Sequence, residues 1–232
     1  RRVSGEPIDV YARRHIFGPL GMRDTGFAPG PALYGRLAPT MEGSRGVPHD
    51  PNTRRMGGVS GAAGLFGTAD DLGRFAQALL DGGGGVLAPA TVQAMVAPQS
   101  PAGRLPARGL GWALSSPAGN WSGMLPAGSY GHKGYTGTLL WVDPSTRTYL
   151  VVLSSRVYPD GEPHGDALRD RVFGLAVAAT GRPAPAAHAR PQLDPGFMAG
   201  VDVLAAEGFA PLRGKRVGVI TNHTGLDSSG RR

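Results

Sequence analysis

The chain reads as α+β, with helices packed on an antiparallel sheet. Three observations carry this. Apolar residues recur at helical spacing in segments near 6–17, 69–81 and 89–97. From 109 to 155 the period changes to two. Between the last two strand-like runs lies Asp143-Pro144-Ser145-Thr146, a turn sequence that joins strands as a hairpin.

Taken in order, the first helix is expected over 6–17. Ile8, Tyr11, Ala12 and His15/Ile16 share one face, Pro7 sits in the first turn, and Gly18-Pro19 stops it. Residues 28–64 are rich in Gly and Pro and lack a period. A long irregular segment inside a compact domain is usually functional or wraps a site. The next helix has Thr68 as its cap and Asp71 as the partner of a capping box. Its buried stripe is expected to be Leu72, Phe75, Ala76, Leu79 and Leu80, and Gly82 to Gly85 end it. Pro89 opens a short helix to about 97. Strands are expected at Gly109–Leu114, Ser129–His132, Thr138–Val142 and Tyr149–Ser155. A helix over 165–180 covers them, with Leu168, Val172, Leu175, Ala176 and Ala179 on its inner side.

Beyond 180 the character of the chain changes. Residues 181–195 read as a Pro- and Ala-rich linker, extended and semi-rigid. Val201–Ala206 reads as helical, and Lys215–Thr221 as a buried strand. One strand and half a loop cannot bury a core. Residues 196–232 are therefore expected to begin a second, α/β domain. Arg1-Arg2 leads straight into a helix with no initiator Met, so the sequence is expected to be an internal fragment.

Composition narrows the function. Of the residues, 41% are hydrophobic and 18% charged, which places the chain among soluble globular proteins. No apolar run reaches the roughly 18 residues of a membrane helix. There is no Cys, which excludes disulfides, a thiolate nucleophile and Cys-ligated metal. The net charge is +7, but the Arg residues are scattered and no nucleic-acid motif accompanies them. A solvated basic surface is the better reading. Lys occurs only at 133 and 215, so a Lys kept inside a glycine-rich corner stands out.

That corner is Tyr130-Gly131-His132-Lys133-Gly134-Tyr135-Thr136-Gly137-Thr138. His132 and Lys133 could hold an anionic group or orient a leaving group. Gly134 and Gly137 let a substrate approach the backbone, and the Tyr135 amide could donate to an oxyanion. A hairpin entry with solvated basic side chains explains the same residues. No nucleophile accompanies the corner. Gly58-Val59-Ser60-Gly61-Ala62 fails the nucleophile-elbow pattern at its last position, and Ser60 reads as a loop residue. No Ser-x-x-Lys, Tyr-x-Asn or Ser-x-Asn occurs. The six His residues show no metal-ligand spacing, and nothing calls for a cofactor. Asp70 and Asp71 read as a charged first helical turn, and Asp143 as a turn residue. Asn222 and His223, at the end of the second-domain strand, sit where α/β units bind ligands.

Residues 1–180 resemble the C-terminal two-thirds of the serine β-lactamase-related family, which covers class C β-lactamases, D-Ala-D-Ala carboxypeptidases and related esterases. The resemblance lies in Ile16–Phe27, Gly64–Leu72, Gly109–Trp112 and Gly131–Pro144, four segments in the right order. It implies helices packed on an antiparallel sheet and acylation of an active-site Ser. The family's Ser-x-x-Lys and Tyr-x-Asn elements would precede Arg1. Its third element, Lys-Thr-Gly or His-Thr-Gly, falls on His132-Lys133-Gly134, where Lys replaces Thr. Either His132 fills the basic position and Lys133 adds charge, or Lys133 fills it and the hydroxyl is lost.

Residues 197–232 resemble the start of the exo-β-N-acetylmuramidase family of the NamZ type. The resemblance lies in Gly200–Leu204, Glu207-Gly208-Phe209 and Gly214–Gly225. Together the two resemblances imply an extracytoplasmic bacterial cell-wall hydrolase. Its substrates would be peptidoglycan fragments or related small acyl and ester compounds, with no nucleic-acid partner. A non-catalytic peptidoglycan-binding module attached to a muramidase is the alternative. The fragment alone is expected to be inactive, since neither Ser nor its base is present.

Overall fold

In a computed structural model, the structure describes residues 2–101, 107–115, 126, 128–161 and 167–180. The chain divides into two units, residues 1–187 and 188–232, and every described residue lies in the first. The expected linker, the 201–206 helix, the 215–221 strand, Asn222 and His223 lie outside the described residues.

A four-stranded antiparallel sheet forms the centre. Its strands are β3 (Ala113–Leu114), β4 (Tyr130–Lys133), β5 (Leu139–Asp143) and β6 (Thr148–Val152), paired in that order. The expected hairpin is present, with Leu139 opposite Val152 and Asp143 opposite Thr148. Asp143 is fully buried and builds the turn. Its carboxylate accepts from the Ser145 amide at 2.9 Å, from the Ser145 hydroxyl and from Thr146 Oγ1 at 2.9 Å. At Gly131 a Cβ would press on the backbone of Leu140 and Trp141, so β4 and β5 meet there only without a side chain.

Period-two alternation splits the sheet into two apolar faces. Tyr130 and Val142, with Trp112 and Leu114, pack against Ala76 and Leu79 of α3 (Ala69–Leu80) and Val92 of α4 (Pro89–Val96). Leu139, Trp141 and Ala113 pack on the other side against Phe173 and Val177 of α5 (Ala167–Ala179). The result is a helix–sheet–helix sandwich. Helices α3, α4 and α5 fall where expected, as do the four strands to within a few residues. The exception is the first strand, which keeps only its last two residues.

Three local expectations change. The first helix covers Ile8–Ala12 (α1) and then widens into a π-helical turn over Arg13–Phe17. The wider turn shifts the phase. Ala12 and Phe17, five apart, are buried with Met22, while Ile8 and Tyr11 of the expected face are exposed. On α3, Thr68 Oγ1 accepts from the Asp71 amide at 3.3 Å, but the capping box does not close. The buried Asp71 carboxylate turns instead to the Asp24 amide and Thr25 Oγ1, both at 2.8 Å, tying the 22–27 segment to the helix. On α5, the inner residues among the described side chains are Arg169, Phe173 and Val177, whereas Val172 and Leu175 face out; the Leu168 side chain lies outside the described residues. One large aromatic that meets Trp141 decided the rotation against a face of smaller aliphatics.

The irregular 28–64 segment holds a 3-10 helix at Pro31–Arg36 and a short helix, α2, at Pro51–Arg55. Ahead of it, β1 (Gly26–Phe27) pairs with β2 (Leu65–Phe66) in a small second sheet that the sequence did not signal.

Candidate active site

Each strand places neighbouring side chains on opposite faces, and β4 does this to His132 and Lys133. His132 lies opposite Leu140, on the face of Tyr130 and Val142. Lys133 lies opposite Leu139, on the face covered by α5. The two basic groups of the corner therefore do not converge. His132 is exposed, and its Nδ1 lies 2.9 Å from the Lys133 carbonyl oxygen. A carbonyl only accepts, so Nδ1 carries the hydrogen and Nε2 is the ring nitrogen left to exchange a proton. Lys133 Nζ lies 3.7 Å from Asp170 Oδ1 on α5. Lower on the strand, burial pushes the Tyr130 phenol up to about 12, so it stays neutral.

After β4 the chain makes a tight turn. The Gly134 amide donates to the Thr138 carbonyl at 2.8 Å, and the Gly137 amide returns to the Gly134 carbonyl at 3.1 Å. Gly137 has φ +116°, and a Cβ there would meet Arg156 N at 2.9 Å and Ser154 O at 3.0 Å. Only glycine permits that approach. The 154–156 strap then fastens the turn. Ser154 Oγ donates to the Gly137 carbonyl at 2.8 Å, the Arg156 amide to the Thr136 carbonyl at 2.8 Å, and Arg156 Nε to the Tyr135 carbonyl at 2.6 Å. The Tyr135 amide has no acceptor among the described residues.

Tyr135 is exposed yet held. The His49 ring stacks on it with centroids 5.4 Å apart, and the Arg156 guanidinium lies 5.1 Å from its centroid. His49 Nε2 in turn reaches the Gly161 carbonyl at 2.8 Å. The irregular 28–64 segment thus sends one residue to the corner. Sequence reading missed His49 and Arg156, since neither lies in a motif with chemistry of its own.

The corner is a fixed platform with one imidazole Nε2, one backbone N–H and a rigid aromatic. These groups can hold an acyl carbonyl and accept or donate one proton. Ser60 is excluded as a partner. It is buried, its Oγ accepts from the Ala62 and Ala63 amides at 3.0 and 3.3 Å, and it shares a hydrogen bond with Thr53 Oγ1 at 3.1 Å. It braces its loop. No cluster of metal-ligating side chains occurs among the described residues.

Comparison with known proteins agrees with this architecture. A proposed D-alanyl-D-alanine carboxypeptidase of Salmonella gallinarum is 32% identical over 209 residues, covering 77% of this chain and 47% of its own length. A protein of the same designation from Escherichia coli O157:H7 is 31% identical, covering 69% of this chain and 43% of its own. The chain thus spans about half the length of the curated relatives it matches. A β-lactamase structure from Mycobacterium bovis superposes with a TM-score of 0.53 at 25% identity, over 77% of this chain and 58% of its own. The fold is shared also with simvastatin synthase from Aspergillus terreus, TM-score 0.54 at 22% identity over 74% and 50%. The sequence model of the Beta-lactamase family matches residues 1–191, and the chain belongs to that family.

Proposed function

We propose that this chain supplies one wall of a serine acyl-transfer site in a bacterial cell-wall hydrolase that acts on D-alanyl peptides or related esters. The observation that carries the reading is the corner itself. His132 lies on the face of β4 opposite α5, its Nδ1 held by the Lys133 carbonyl, beside a turn whose Tyr135 amide has no acceptor among the described residues. The family's third motif falls on the same three residues, His132-Lys133-Gly134.

In this reading a serine Oγ attacks the substrate carbonyl. The Tyr135 N–H donates to the oxyanion, and the bond to the leaving amine or alcohol breaks as that group takes a proton. Water then hydrolyses the acyl-serine. His132 orients the leaving group or relays its proton. The serine and its lysine stand in a Ser-x-x-Lys element, which the 232 residues do not contain, and we place that element in a segment preceding Arg1. The relatives' greater length supports this.

Residues 196–232 would open a muramidase domain of the NamZ type, with Asn222 and His223 near its site. Both domains would then act on peptidoglycan, outside the cytoplasm. A second reading is a binding module that docks peptidoglycan without catalysis. The altered corner, with Lys133 where the family has Thr, favours it. Fluorescent penicillin separates the two readings. The 232-residue chain should remain unlabelled, and the protein translated from the extended upstream coding sequence should be labelled covalently at one serine. An extended domain that lacks Ser-x-x-Lys and takes no label would leave the binding module.

A further inference from the structure

Lys133 holds the place of a hydroxyl residue in the motif, yet its side chain points away from the face that His132 occupies. The register fixes this. Lys133 pairs with Leu139, and Leu139 packs with Trp141, Phe173 and Val177 beneath α5. Asp170 lies one turn before Phe173 on the same helix, and its Oδ1 is 3.7 Å from Lys133 Nζ. The same oxygen is 3.6 Å from Nε of the buried Arg169. The lysine side chain is 30% exposed and the aspartate 42%, so the pair sits at the rim of the packed face.

We propose that Lys133 is a positioning residue, whose ion pair with Asp170 holds the end of β4 against α5 and so sets the His132 ring. The link is the Lys133 backbone. Its carbonyl accepts the His132 Nδ1 hydrogen at 2.9 Å. With the side chain anchored on one face, that carbonyl is fixed, and the imidazole on the other face keeps Nε2 outward. The next residues form the 134–138 turn that carries the Tyr135 amide. The tether thus serves both groups that the acyl-transfer reading assigns to the site, and its meaning for catalysis rests on that reading.

The test uses the 232-residue chain without substrate, so its failure is separate from a failure of the penicillin experiment. Nitrogen-15 NMR of the histidine rings at pH 8 reports the His132 tautomer, and the Tyr135 amide shift reports the turn. The wild-type chain should show mainly the Nδ1–H form. Lys133→Thr and Asp170→Asn should each move His132 toward the Nε2–H form to the same extent. The double variant should move it no further, and Lys133→Arg should restore it. Adding 1 M NaCl to the unmodified chain should shift it the same way, because screening at that strength reaches about 3 Å. A wild-type His132 tautomer in both Asp170→Asn and 1 M salt would overturn the proposal, as would additive effects in the double variant.

Discussion

Helix α5 can be rotated wrongly by reading its aliphatic residues, and a pair of substitutions measures its true face. Phe173 is 1% exposed, and its ring meets Trp141 edge to face with centroids 5.3 Å apart at 86°. Truncating a buried Phe to Ala removes its transfer free energy and leaves a cavity, together costing about 3–5 kcal/mol. Leu175, two residues on and so about 200° around the helix, is 64% exposed. Leu175→Ala should change stability by no more than about 0.5 kcal/mol. Urea unfolding of the three proteins, with equal slopes, gives both values. Should Phe173→Ala prove too unstable to measure, Val177→Ala serves. It removes two methyl groups at about 0.8 kcal/mol each plus a small cavity, roughly 2 kcal/mol. A cost for Leu175→Ala equal to that of Phe173→Ala would refute the packing. It would also unseat Asp170 from the sheet-facing side where it meets Lys133.

Two further outcomes follow from the same structure. Asp71→Ala leaves the Asp24 amide and the buried Thr25 hydroxyl without their acceptor and should cost about 2–3 kcal/mol. Thr68→Ala, which removes only the helix cap, should cost about 1 kcal/mol, so urea unfolding should rank Asp71 above Thr68. The Tyr130 phenol is raised by burial from about 10 to about 12, so the folded state holds that proton more tightly than the unfolded chain. Its contribution is intact below pH 10 and lost as pH rises toward 12, a fall of about 2–3 kcal/mol that Tyr130→Phe should abolish.

Much of the fold was legible because local signals agreed with tertiary structure. Thr68 and Gly82 bound α3, Asp143 to Thr146 close the hairpin, and Pro89 opens α4. What escaped reading depends on distant partners. The π-helical turn at 13–17 follows from burying Phe17 with Met22. Asp71 left its capping box for two donors nearly fifty residues upstream. The α5 face was set by Trp141 from another part of the chain. The corner was readable as a motif, from His132 to Tyr135. Its orientation was not, because the sequence left open on which face of the sheet each basic side chain lies. The β4–β5 register, together with Asp170, separates the two. His49 and Arg156 were invisible for the same reason: they matter only through where Tyr135 lies.

The most direct test of the acyl-transfer reading is the rate at which penicillin acylates the extended protein, wild type against His132→Ala. The account predicts a covalent adduct on a single serine. The substitution should slow its formation by about 10²–10⁴-fold, the usual contribution of a positioned acid or base, while circular dichroism and unfolding stay as in the wild type. Equal acylation rates for the two proteins would contradict it, since His132 would then take no part in the acylation.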